Sequence, residues 1–155
     1  MRNAPSPGLV ILTVFIGLHV AGSVFAETPI LDDLPPGKTG VLESPVGTYE
    51  FTTTVCGIFL EDNFEDIEIM GPGTAPDGEN FYFELSSTGN SMTISIGSEG
   101  PFDSSDRQLQ AGQHVSEPFT VETSGEFISV PHITLVDEVG WRIIGDASLR
   151  INCGE

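Results

Sequence analysis

From Gly47 onward the apolar positions recur every second residue. Tyr49, Phe51, Thr53 and Val55 alternate with Glu50, Thr52 and Thr54, the pattern of a strand with one buried face. Cys56, Ile58 and Leu60 then fall on the opposite face, and a bulge at Gly57 would reconcile the two runs. Ile67 and Ile69 predict a short strand ended by Gly71-Pro72-Gly73. Phe81, Phe83 and Leu85 form one alternating run and Met92, Ile94 and Ile96 another. Gly89-Asn90 between them predicts a hairpin. Residues 97–113 read as a polar loop with a short strand at Leu109. Further strands are predicted at Phe119–Val121, Phe127–Val130, Ile133–Leu135, Trp141–Ile144 and Ala147–Cys153, with Pro131 marking an edge or a break. No window after the first residues keeps a helical period. About eight short strands at turn-punctuated intervals predict an all-β fold, an antiparallel β-sandwich of jelly-roll or immunoglobulin-like type.

The first residues differ in kind. Arg2 precedes an apolar run from Leu9 to Val20, and Val24-Phe25-Ala26 presents small side chains where a signal peptidase would cut. The run Gly8–Ala26 barely reaches the roughly 20 apolar residues of a spanning helix. Residues 1–26 are therefore expected to be a signal peptide, with no stable membrane anchor and a periplasmic or extracellular destination. Residues 27–45 hold Pro29, Pro35, Pro36 and Pro45 with Gly37 and Gly40 and read as a linker. Residues 46–155 are then the domain.

Charge and cysteine content narrow the function. The chain carries a formal charge of −18, from 23 carboxylates against five Lys and Arg. Such a surface repels phosphate backbones and argues against nucleic acid as a partner. Cys56 and Cys153 are an even pair in an exported chain and are expected to form a disulfide between an early strand and the last one.

Motifs for catalysis are sparse. No G-x-S-x-G, H-E-x-x-H or phosphate-cradling loop occurs. Glu61, Asp62 and Asp66 lie in a six-residue acidic run that offers oxygen ligands to calcium, the one metal the sequence suggests, although no other cofactor is expected. The alternative for that run is a charged turn that keeps a strand edge from pairing. Trp141, with Tyr82 or Tyr49, would make a stacking platform for a sugar ring if they lay on an open sheet face; core packing is the competing fate. The run Asp77–Ile96 resembles the opening hairpin of bacterial pre-peptidase C-terminal domains. A signal followed by a small β domain with its early and final strands joined by cysteines is similar to several exported bacterial antigen-type proteins. The resemblance implies a β fold and carries no functional residue. The expected function is a non-catalytic, exported binding or envelope-associated module with a protein or glycan partner. A calcium-assisted glycan- or protein-binding domain and a small hydrolase are the alternatives.

Overall fold

The structure, a computed structural model, describes Leu34 and residues 37–61, 64–138 and 142–154, with backbone only at 60, 61, 64 and 65. Ten strands occur among these residues: β1 (Thr39–Ser44), β2 (Gly47–Thr52), β3 (Val55–Glu61), β4 (Phe64–Thr74), β5 (Asn80–Ser86), β6 (Ser91–Ile96), β7 (Arg107–Gly112), β8 (Glu122–Ser124), β9 (Phe127–Asp137) and β10 (Arg142–Asn152). All pairings are antiparallel. They run β1-β2-β4-β5-β6-β7-β9-β10, and β10 pairs back onto β1. The all-β, antiparallel, disulfide-bonded character expected from the sequence is present. The sheet closes into an eight-strand barrel, however, and not into the two facing sheets of a sandwich. Alternation alone does not separate these outcomes, because both bury one face of every strand. The decisive pairing joins Thr39 to Asn152 at opposite ends of the chain.

Eight strands leave an interior about wide enough for side chains to fill. Leu42, Tyr49, Phe51, Ile67, Ile69, Phe81, Phe83, Leu85, Ile94 and Ile96 fill it from successive strands. Phe51 stacks on Phe83 at 4.2 Å between ring centroids, and Phe81 meets Tyr49 and Phe51 edge-on. Pairs of this kind add about 0.5–1.5 kcal/mol each beyond simple burial. The outer wall carries Glu43, Glu50, Glu68, Glu84 and Thr93. Apolar inside and polar outside is the reverse of a barrel built to face lipid. Among the described residues no helix is long and apolar enough to cross a membrane.

Four local expectations change. Residues 39–44, read as linker, form β1. Its prolines lie outside the strand at 35, 36 and 45, and Gly40 and Leu42 turn inward as an ordinary alternation. Gly71-Pro72-Gly73 does not end a strand, because β4 runs through it to Thr74. Phe51 pairs with Gly73 and Val55 with Met70, so β2 and β3 together place one extra residue against β4 between these pairs. The bulge therefore lies at Thr52–Thr54 and not at Gly57. Pro72 falls opposite this break, where the ladder is already interrupted and its missing N–H costs little. A Cβ on Gly71 would overlap the Thr52 carbonyl, so glycine is what lets the bulge approach. Finally, the strands expected on either side of Pro131 are one strand, β9, kinked where Pro131 and His132 face the single residue Ser148.

Cys56 in β3 and Cys153 just after β10 are bonded, with Cα atoms 5.6 Å apart. At Thr39, β1 lies between Asn152 of β10 and Thr52 of β2. Beyond Thr39 no described strand separates β10 from β3, and the disulfide spans that gap.

Candidate functional site

The connections β1–β2, β4–β5 and β6–β7, with the last residue of β9, Asp137, and the first of β10, Arg142, all lie at one end of the barrel, opposite the disulfide. They surround a cup of about 290 Å³. Its floor is Tyr49, Ile96 and Leu109, inward residues at the ends of their strands, joined by Ile144. Ile144 arrives there through a second bulge: Ile143 pairs with Val136 and Gly145 with Leu135, which leaves Ile144 as the extra residue. The insertion packs Ile144 against the core and leaves Ile143 68 % exposed.

The rim is wedged in place. Ser44 Oγ donates to the Gly47 carbonyl at 2.9 Å and accepts from the Val46 N–H at 3.3 Å, which shapes the β1–β2 turn. Pro45 and Pro76 then occupy the space a side chain would take at Gly145 and Gly47. Both glycines also hold φ in the left-handed half of the map, at 140° and 129°. In the β6–β7 connection, the Asp106 N–H closes onto the Ile96 carbonyl at 2.9 Å, and a Gly100–Asp103 turn carries Phe102 outward, 98 % exposed. Val46 is half exposed. Three of the five exposed large hydrophobic side chains among the described residues thus sit at this end.

Charges ring the cup. Arg107 pairs with Asp77 and lies 3.4 Å from Glu79, while the Glu79 N–H donates to Asp77 Oδ1 at 3.3 Å. That N–H, followed by the Arg107 guanidinium, holds Asp77 below the usual carboxylate range; the Asp77 hydrogen bond raises Arg107 in turn. Burial pushes the Tyr49 hydroxyl up, and Arg107 partly opposes it. Arg142 reaches Asp137 at 3.5 Å. Asp103, Asp106 and Glu138 add carboxylates at the same end that no described cation neutralises.

The residues singled out from sequence lie elsewhere. Asp66, on β4, accepts a hydrogen bond from Thr88 Oγ1 at 2.5 Å. Asp62, the Glu61 side chain and Trp141 fall outside the described residues. Among those described, no group of three His, Cys, Asp or Glu is placed to hold a metal ion. Tyr82 stands on the outer wall between Pro72 and Ser95 but is only 6 % exposed, so its ring is not an open stacking platform. His132 pairs with Asp146 at 3.1 Å on the barrel side, away from the cup. A larger depression, about 420 Å³, lies on the wall over Gly40 and Gly73. Its Thr39, Glu50, Thr52 and Thr74 lining is open strand surface with little to orient a ligand. This end of the barrel left one trace in the sequence: Phe102, a lone aromatic inside a polar run.

No family model, curated protein or solved structure matches the chain.

Proposed function

We propose that the protein is an exported, non-catalytic binding domain that contacts its partner through the mouth of the barrel. The observation that carries this reading is the coincidence of exposed Val46, which lines the cup, and exposed Phe102 on the adjoining β6–β7 connection with an apolar-floored cup whose turns are wedged by Pro45 and Pro76. Exposed apolar groups on a soluble surface that is otherwise acidic mark contact sites. A rigid rim reduces the ordering entropy lost on association. The disulfide is compatible with export, as is the basic, apolar, small-residue order of residues 1–26.

A neutral solvatochromic dye tests the mouth directly. It is expected to bind at one site per molecule and to lose most of that binding in Val46→Ser and Phe102→Ser, both of which change exposed side chains and leave the core intact. Dye binding that is absent, or unaltered in both folded variants, would overturn the reading. The export component is tested by intact mass: protein recovered outside the cytoplasm is expected to begin at Glu27, and retention of Arg2 would refute it.

A further inference from the structure

Resting on the mouth as the contact surface, we infer that its partner is a basic protein segment that presents a bulky apolar side chain to the cup. The cup supplies the apolar half of the recognition through Tyr49, Ile96, Leu109 and Ile144 below and Val46 at the rim, with Phe102 exposed on the β6–β7 connection at the same end. Charge selects the other half. Arg107 is already engaged by two carboxylates, Asp77 and Glu79, and Arg142 by Asp137. An anionic ligand would have to displace these acids while approaching a chain of formal charge −18. A cation meets Asp103, Asp106 and Glu138 instead, which have no described counter-ion. The net negative charge of the chain adds a general attraction for it. A lysine- or arginine-flanked aromatic residue satisfies both halves at once: the ring enters the cup and the cations settle on the rim. A purely apolar partner would leave the rim carboxylates half-desolvated without compensation, and burying charge that way is costly.

Three fluorescently labelled peptides separate the contributions on the full-length oxidised chain: one tryptophan among lysines, one tryptophan among glutamates, and lysines alone. The first is expected to bind about tenfold or more tighter than either control, as buried aromatic anchors dominate such contacts. Its affinity is expected to fall with added salt, because exposed charges are screened. Val46→Ser and Phe102→Ser should each weaken it several-fold, with dichroism confirming that the variants stay folded. Equal binding of the lysine-only peptide, or indifference to both substitutions, would mean diffuse attraction to an acidic chain and would overturn the inference. If the neutral dye binds in a Phe102-dependent way while the lysine–tryptophan peptide binds no better than its glutamate counterpart, the basic partner is refuted and the mouth stands as the contact surface. If neither dye nor peptide binds, both fall.

Discussion

Reducing the Cys56–Cys153 bond probes how the barrel is held shut. The bond closes a loop with a sequence separation of 97. For a loop of that length the chain-entropy relation gives about 4.7 kcal/mol at 25 °C, and measured effects usually fall in the range of about 2–4 kcal/mol. The structure favours the measured range over the upper figure. The seam between β1 and β10 keeps five residue pairings from Thr39–Asn152 to Glu43–Ser148 whether or not the sulfurs are joined, so the ring survives reduction. What reduction frees is the end beyond Thr39, where Cys153 is otherwise tied by its N–H to the Glu126 carbonyl at 2.9 Å. Urea unfolding of the oxidised protein, the reduced protein and a Cys56→Ser, Cys153→Ser variant is the assay. A loss of about 2–4 kcal/mol is expected, or roughly 8–16 °C in melting temperature for a domain of this size. The slope against denaturant should rise as well, since the uncrosslinked unfolded chain exposes more surface. A stability change below about 1 kcal/mol with an unaltered slope would refute the reasoning, because the bond would then not restrain the unfolded chain.

Thr53 is buried at the bulge, and among the described residues its hydroxyl has no hydrogen-bond partner. Thr53→Val keeps the shape and removes the unmet group, so a gain of about 1 kcal/mol is expected in denaturant unfolding, and a comparable loss would show that the hydroxyl is bonded. Asn90 holds the β5–β6 turn at φ 42° and clasps Phe119, donating from Nδ2 to its carbonyl at 2.6 Å and accepting from its N–H at 3.2 Å. Asn90→Ala is expected to cost about 2–3 kcal/mol and Asn90→Gly, which tolerates the backbone, about 1 kcal/mol less; equal losses would remove the backbone contribution from the account. Tyr49 is raised above 10.0 chiefly by burial. Its neutral form therefore favours the folded state, with that contribution complete below pH 10 and lost as pH rises through the raised value. Tyrosinate absorbance should show a late component that disappears in Tyr49→Phe and moves later still in Arg107→Gln; an Arg107→Gln titration that moves earlier would contradict the assigned opposition.

The strands that alternate without interruption were legible. Phe81–Leu85 and Met92–Ile96 pair through the Gly89-Asn90 turn as their spacing predicts, and the two cysteines meet. What misled were glycines and prolines. In β4, Gly71 and Gly73 admit neighbouring chain atoms, and Pro72 sits opposite a break in the ladder, so residues that punctuate isolated segments here serve a continuous strand. In the same way Pro35, Pro36 and Pro45 bracket β1 without entering it. The bulge was foreseen in kind and misplaced by a few residues, because the clash of faces is visible in sequence and the partner that absorbs it is not. The mouth was least legible. Its floor draws on β2, β6, β7 and β10, and it depends on one inserted residue, Ile144, whose position follows only from pairing with β9.

The seam between β1 and β10 also sets an order of events. β1 is the first described strand made and β10 the last, and each needs the other to cover its edge. A chain emerging residue by residue, from a ribosome or through a translocation channel, cannot complete this ring until Arg142–Asn152 are free. Local hairpins can form early, but β1 and β2 wait with an open flank. Loop closure across nearly the whole chain makes that last step the slow one. Premature closure is thereby avoided while the polypeptide is still emerging. A nascent fragment ending before Arg142 would remain an unsealed sheet, open to cleavage and to pairing with its own kind.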